Sequence, residues 1–165
     1  MPNHWTFQIQ PIADLLSRYV GNGKGWIDPF AGENSPAEIK NDIRQNIDAD
    51  YHMKALDFLK QLTGIYKGVL FDPPYSIRQV KECYESAGIQ FTAYDSNYAG
   101  QWTFEKAELS RLVENGGFVI SFGWNSNGVG RNNGFEIEEI LLVPHGGAHN
   151  DTIVTVERKI QNFML

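Results

Sequence analysis

The tetrapeptide Asp72-Pro73-Pro74-Tyr75 has residue types that suit the binding of an aromatic amine. Proline donates no backbone N–H, so a Pro-Pro segment offers chiefly carbonyl oxygens. We expect the Asp72 carboxylate and the Pro73 carbonyl to accept hydrogen bonds from one amino group, which draws the nitrogen lone pair out of conjugation. The Tyr75 ring offers a flat face for stacking, worth roughly 1–3 kcal/mol for a nucleobase. The tetrapeptide therefore predicts a pocket for a planar substrate with an exocyclic amino group.

Regular elements are predicted on both sides of the tetrapeptide. The apolar run 68–71 predicts a buried strand, and Ser76 is in position to cap the next helix. Hydrophobic periodicity and turn residues predict the remaining elements. Helices are expected at 11–20, 51–62, 76–87 and 103–115, strands at 25–28, 39–43, 118–122, 135–143 and 152–157, and irregular loops at 89–102 and 123–134.

The order of these elements predicts an α/β fold. Strands that alternate with helices indicate a mainly parallel sheet, and the last two strands form a C-terminal antiparallel hairpin. Ligands of such sheets bind outside the carboxyl ends of the strands. Asp28, Asp42, Asp72 and the loop after Phe122 are therefore expected along one rim.

Two segments resemble motifs of a known family. Asp72-Pro73-Pro74-Tyr75 resembles the catalytic motif of amino-methyltransferases that use S-adenosylmethionine, chiefly DNA adenine-N6 methyltransferases of the DPPY type. Asp28-Pro29-Phe30-Ala31-Gly32 resembles their cofactor loop, and motif-like segments extend from Phe7 to Glu157. The resemblance implies a Rossmann-like methyltransferase fold and methyl transfer to N6 of adenine in DNA. It also implies that the tetrapeptide is catalytic.

The resemblance further implies a set of cofactor contacts. Asp28 would hold the ammonium group of the methionine tail, Asp42 the ribose hydroxyls and Asp57 the adenine amine, against which Phe58 would pack. The other implied contacts are Gln10 and Pro11 in the segment 6–11 that closes over the tail, Phe30, Ala31 and Gly32 in the loop, and Asp72. Simpler alternatives stay open: a plain strand-to-loop turn at 28–32, a turn aspartate at 42 and a solvated helix carboxylate at 57.

The chain departs from the family pattern after Gly32. The usual loop continues to another glycine, whereas this chain has Glu33-Asn34-Ser35-Pro36. About ten residues separate Asp28 from the next predicted strand, fewer than a crossover with a full helix normally needs. A loop or a single helical turn is expected there.

The substrate pocket needs a second wall opposite Tyr75, because a base in duplex DNA must be flipped out of the stack. Trp124 is the leading candidate for this wall; alternatively, it is a partly buried side chain with only a packing role. Asn125 and His149 are further candidate substrate contacts. No metal is expected. The His and Asp residues of the 144–151 loop do not match zinc spacings.

Length and composition favour a single methyltransferase domain over residues 1–165, with no separate target-recognition domain. The formal net charge of −6 counts against unaided duplex binding and makes a homodimer or a specificity subunit more plausible. One cysteine excludes an intramolecular disulfide, and neither a secretory signal nor a membrane-spanning stretch is evident. A cytoplasmic location is therefore expected.

Two other functions fit the same residues. The substrate is alternatively RNA or a protein glutamine side chain, although glutamine enzymes of this type usually have Asn at the first motif position. The chain is alternatively a subunit that binds S-adenosylmethionine and needs a partner for activity. The intact tetrapeptide favours an active enzyme.

Overall fold

The computed structural model describes residues 5–160. Its helices are α1 (Gln10–Tyr19), α2 (Ala55–Gln61), α3 (Ile77–Ser86), α4 (Ala93–Tyr98) and α5 (Thr103–Leu112). Its strands are β1 (Trp26–Asp28), β2 (Ile39–Lys40), β3 (Tyr66–Phe71), β4 (Val113–Gly123), β5 (Phe135–Val143) and β6 (Thr152–Lys159). Two 3₁₀ turns lie at Thr6–Gln8 and Arg131–Asn133.

The strands form one six-stranded sheet in the order β2-β1-β3-β4-β6-β5. The first four are mutually parallel, whereas β6 runs antiparallel to β4 and pairs with β5 as a hairpin. The predicted α/β class, the mainly parallel sheet and the closing hairpin are confirmed. All parallel strands end at the same edge, which brings the loops after β1, β2, β3 and β4 together.

The apolar residues of β3 alternate between two cores because successive side chains of a strand point to opposite faces. Val69 and Phe71 pack with α2, α3 and α5, whereas Leu70 packs on the other face with Ile12 and other residues of α1. Both faces of the central strands are thus covered by helices, as expected for a parallel sheet. The buried strand fixes the position of the tetrapeptide that follows it.

Several predicted boundaries are corrected by polar contacts. The strand expected at 39–43 ends at Lys40, because Asn41 turns its side chain to the Pro29 and Met53 carbonyls. The helix expected at 51–62 begins only at Ala55, because Tyr51 forms a parallel bridge with Asn41.

Two further corrections concern the second half of the chain. The loop expected at 89–102 contains α4, which begins with a reciprocal capping box between Thr92 and Asp95. The helix expected at 103–115 ends at Leu112, where β4 begins without a connecting loop. The crossover between β1 and β2 contains no helix, as predicted. None of the helices within residues 5–160 is long and apolar enough to cross a membrane.

Candidate active site

Three buried aspartates meet at the carboxyl edge of the sheet. Asp28 is the last residue of β1, Asp42 follows β2, and Asp72 follows β3. Their side chains are 0%, 5% and 1% exposed, and each of Asp42 and Asp72 is close enough to its neighbour Asp28 for their charges to interact. The predicted rim is therefore present as a cluster of carboxyl groups at the ends of neighbouring strands.

Asp72 has one satisfied and one unsatisfied oxygen. The Tyr75 hydroxyl donates to Oδ1 at 2.7 Å, while Oδ2 is buried without a hydrogen-bond partner among the described residues. Burial raises the pKa of Asp72 well above its ordinary value, and the bond from Tyr75 only partly opposes this effect. A buried, unpaired acceptor is unusual in a folded protein. In the ionised form of Asp72, such an atom is suited to a ligand that donates a hydrogen bond.

The turn after Asp72 is fixed by short local contacts. Pro73 and Pro74 are buried, and the Tyr75 N–H donates to the Gln79 side chain at 2.7 Å. Ser76 caps α3 by accepting from the Gln79 N–H, as predicted for this residue. The tetrapeptide is thus held rigidly between a buried strand and a capped helix.

Asp28 is bonded to its own loop. Its Oδ1 accepts from the Phe30 N–H at 2.9 Å, and its Oδ2 accepts from the Ser35 hydroxyl at 2.6 Å. Burial raises the pKa of Asp28 to about 7, despite these two bonds. Neither oxygen is directed at a cation in this structure. Asp28 therefore carries a carboxyl group that titrates near neutrality.

Asp42 is held by a backbone amide and by an arginine that the sequence did not single out. Its Oδ2 accepts from the Gly32 N–H at 2.9 Å, where a positive φ of 57° favours glycine. The Arg44 guanidinium binds both carboxylate oxygens, with Nε on Oδ1 at 3.0 Å and Nη2 on Oδ2 at 2.9 Å. Arg44 would have to turn away before Asp42 could accept two ribose hydroxyls.

A cavity of about 250 Å³ opens between the rim and α4. Asp42, Asp57 and Asp72 supply acidic groups to its lining, and Phe30 supplies part of an aromatic wall with Trp102. Phe30 and Trp102 pack edge to face at 4.9 Å between ring centroids. The cavity combines carboxylates with apolar and aromatic surface, which is the usual make-up of a cofactor site.

A second, smaller cavity of about 110 Å³ lies on the other side of the tetrapeptide. Pro73 and Tyr75 line it from one side, and Trp124 and Asn125 line it from the loop after β4. The Tyr75 and Trp124 rings are in edge-to-face contact, with centroids 5.5 Å apart. Pro74 and Trp102 line both cavities. The tetrapeptide therefore separates two spaces, and the smaller has aromatic walls.

The residues of α2 contribute to the large cavity differently from the prediction. Phe58, expected to pack against the adenine, lines neither cavity, and its ring is fully buried in the core beside Tyr51. Met53 and Leu56 line the large cavity instead. The core face of α2 is formed by Ala55, Phe58 and Leu59.

Asp28, Gly32 and the remaining predicted residues line neither cavity. Gln10 and Pro11 are exposed at the start of α1, where the Gln10 side chain donates to Asp14. Ala31 is buried and its N–H donates to the Asn41 carbonyl. His149 is exposed in the hairpin loop. Within residues 5–160, no group of three or more His, Cys, Asp or Glu side chains is arranged to hold a metal ion.

Several residues that line the cavities were not predicted. Tyr94 of α4 lines the large cavity, and Lys106 and Ser121 line the small one. Tyr98, for which a contact with nucleic acid or packing of its loop was expected, also lines the large cavity. The Thr92-x-x-Asp95 capping box was a readable signal for α4. Ser121 sits in an otherwise apolar strand, where no local pattern distinguishes a site residue from a structural one.

The fold is shared with methyltransferases of known structure. TrmN from Thermus thermophilus is 14% identical with a TM-score of 0.55, over 90% of this chain and 48% of TrmN. A Burkholderia thailandensis 1,6-didemethyltoxoflavin-N1-methyltransferase, solved with its substrate and S-adenosylhomocysteine, is 12% identical with a TM-score of 0.58, over 92% and 78% of the two chains. The N-methyltransferase NodS from Bradyrhizobium japonicum, solved with S-adenosylhomocysteine, is 10% identical with a TM-score of 0.56, over 94% and 89%.

These comparisons show a common architecture. The chain has the Rossmann-like fold of S-adenosylmethionine-dependent methyltransferases, as the sequence predicts. It spans about half the length of TrmN but most of NodS. No protein-family model matches the sequence, and no curated protein does.

Proposed function

We propose that this protein transfers a methyl group from S-adenosylmethionine to the exocyclic N6 amino group of adenine in DNA. The observation that carries the proposal is the position of Asp72. It follows the central strand, lines the large cavity and has one buried oxygen without a partner among the described residues, and the Pro-Pro turn after it lines the small cavity. An amine in the small cavity would thus lie beside a cofactor in the large one.

The large cavity fits S-adenosylmethionine by its chemistry. Asp42 is the candidate acceptor for the ribose hydroxyls once Arg44 has moved, and Asp57 is the candidate acceptor for the adenine amine. Phe30, Met53 and Leu56 supply apolar surface for the purine. Asp28 lines neither cavity, although the next two residues, Pro29 and Phe30, line the large one. It is the candidate partner of the ammonium group, directly or through water, since a cation favours the ionised form of this buried carboxyl.

The small cavity fits a flipped nucleobase. Tyr75 and Trp124 supply aromatic surface, and stacking of a base on such rings is worth roughly 1–3 kcal/mol per base. The edge-to-face pair must open to admit a ring between the two side chains. Asn125 adds a polar side chain at the same wall.

The residues of the tetrapeptide act by orienting the amine. S-adenosylmethionine supplies a methyl group already activated by its sulfonium. The unpaired Oδ2 of Asp72 and the Pro73 carbonyl accept the two amino hydrogens, which leaves the nitrogen lone pair directed at the large cavity. Such positioning can supply up to ~7–11 kcal/mol of rate enhancement. The methylated amine becomes cationic and then loses a proton to solvent.

A labelling experiment tests this proposal. The protein is incubated with S-adenosylmethionine carrying a tritiated methyl group and with duplex DNA, RNA or bulk protein in separate reactions. The expected result is label in DNA that co-elutes with N6-methyladenine after digestion. Label in RNA or in protein glutamine would show that the substrate is not DNA adenine, although the reaction would still be methyl transfer to an amino group.

The same reactions test whether the chain needs a partner. The net charge of −6 offers little attraction for DNA phosphates, so we propose that a second copy of the chain or a specificity subunit assists DNA binding. Cofactor binding without label in any fraction would contradict an independently active enzyme. It would favour a cofactor-binding subunit.

A further inference from the structure

We infer that the Ser121 hydroxyl selects the substrate by donating a hydrogen bond to the ring nitrogen beside the amino group. The inference deepens the proposed function and rests on it. The site is the floor of the small cavity, where Ser121 lies between the Pro-Pro turn and the loop that carries Trp124.

The strand register brings Ser121 next to the tetrapeptide. In the parallel pairing of β3 with β4, Ser121 is the partner of Phe71, the residue immediately before Asp72. Both Phe71 and Ser121 line the small cavity. The Ser121 side chain is therefore fixed by two central strands of the sheet, which is a more rigid support than a loop provides.

Ser121 has an unsatisfied hydroxyl. Its Oγ is buried and has no hydrogen-bond partner among the described residues, as is also true of Asp72 Oδ2. A buried hydroxyl without a partner is rare, and it is most simply explained by a ligand or a water molecule that forms the missing hydrogen bond. Asp72 follows β3 and lines the large cavity, and Ser121 lies near the end of the neighbouring β4 and lines the small one.

The pair of unsatisfied atoms specifies a chemical pattern. Asp72 and Pro73 accept hydrogens, whereas the Ser121 hydroxyl is free to donate one. A substrate that complements them carries an amino group beside an unprotonated nitrogen, as adenine does with N6 and either N1 or N7. Hypoxanthine, with an oxygen in place of the amino group, offers no hydrogens to Asp72. Ser121 thus adds recognition of the ring to the recognition of the amine.

Thr155 provides a matched control. It is the antiparallel partner of Ser121 on β6, it is 1% exposed, and its Oγ1 is also buried without a partner. Thr155 does not line the small cavity. A merely structural effect of losing a buried hydroxyl should therefore appear in Thr155→Val as well as in Ser121→Ala.

The experiment measures transfer to oligonucleotides in which the target base is adenine, 1-deazaadenine or 7-deazaadenine. Each analogue keeps the amino group and replaces one ring nitrogen with carbon. We expect wild-type protein and Thr155→Val to prefer adenine to one of the analogues by about tenfold or more. In Ser121→Ala the preference should fall to near one, because only the adenine reaction slows. The analogue that is discriminated identifies the nitrogen.

One outcome would overturn the inference: Ser121→Ala keeps the wild-type preference, whether or not transfer to all three bases slows equally. If Lys106→Met abolishes the preference at the same time, Lys106 is the donor instead of Ser121. Lys106 is included because its ammonium group is a charged donor in the lining of this cavity, which also contains the side-chain N–H groups of Asn125, Trp102 and Trp124. Thermal denaturation of each variant shows whether it is folded. Wild-type protein that binds the cofactor but labels none of the bases would overturn the proposed function itself.

Discussion

Replacing Asp28 with asparagine should make the unliganded protein more stable at alkaline pH. Asp28 is fully buried, and burial raises its pKa from the ordinary value of 3.8 to about 7. A carboxyl whose pKa is higher in the folded than in the unfolded state contributes to stability at pH values below its unfolded pKa. This contribution is lost as the pH rises through the folded-state pKa. Ionisation of Asp28 therefore opposes folding most strongly above pH 7.

The magnitude follows from the two pKa values. With 3.8 for the unfolded chain and about 7 for the folded one, ionisation of this carboxyl costs about 2 kcal/mol at about pH 5.5 and about 4 kcal/mol at about pH 8. Asparagine keeps both native contacts, because its Oδ1 can accept from the Phe30 N–H and its amide can donate to Ser35 Oγ. The advantage of Asp28→Asn should therefore grow by about 2 kcal/mol between these two pH values.

Urea unfolding of both proteins at each pH measures this difference directly. Comparing the variant with wild type at the same pH cancels the titration of the other buried acids. The reasoning would be refuted if the difference in unfolding free energy did not change with pH, or if it changed in favour of wild type at the higher pH.

The proposed role of Asp28 adds an expectation for ligand binding. The ammonium group of the cofactor favours the ionised carboxyl, so the affinity of wild-type protein for S-adenosylhomocysteine should fall about tenfold per pH unit well below pH 7. Asp28→Asn should bind more weakly at pH 8 and show no such dependence. Equal pH dependence in the two proteins, measured by calorimetry, would remove Asp28 from the cofactor site.

Substitutions at three other residues test the roles of the two cavities separately. Asp42→Ala should weaken binding of S-adenosylhomocysteine by at least tenfold, because two hydrogen bonds to a charged acceptor are lost; unchanged affinity in calorimetry would exclude Asp42. Tyr75→Phe and Tyr75→Ala both remove the hydrogen bond to Asp72, but the alanine variant should lose about 5- to 150-fold more transfer activity, because only it removes the stacking face; equal losses in a labelling assay would argue against stacking. Trp124→Ala should weaken binding of substrate DNA in a fluorescence titration without changing cofactor affinity; a loss of cofactor affinity would place Trp124 in the wrong cavity.

The parts of the site that the sequence predicts are those encoded locally. The strand before Asp72 is a short apolar run, Ser76 caps the helix that follows, and proline fixes the turn between them. These signals depend on a few consecutive residues and not on the rest of the fold. The aspartates at the ends of β1 and β2 were predicted on the same basis, from their positions at the ends of strands.

The parts that were missed depend on distant residues. The motif position predicts that Phe58 lies against the cofactor, yet its ring lies on the buried face of α2 in the core. Arg44 covers Asp42 through a contact that no spacing reveals. Ser121 becomes a candidate only when the pairing of β3 with β4 sets it beside the tetrapeptide. Register and burial, which decide these cases, are properties of the folded chain.

The most direct test of the account is Asp72→Ala, assayed on one preparation for both cofactor affinity and methyl transfer. Thermal denaturation confirms that the variant is folded, and Thr155→Val serves as a control for loss of a buried polar group. We predict that affinity for S-adenosylhomocysteine stays within a few-fold of wild type while transfer of the tritiated methyl group to DNA is lost. Near-normal transfer by the variant would contradict the claim that Asp72 and the Pro-Pro turn orient the substrate amine.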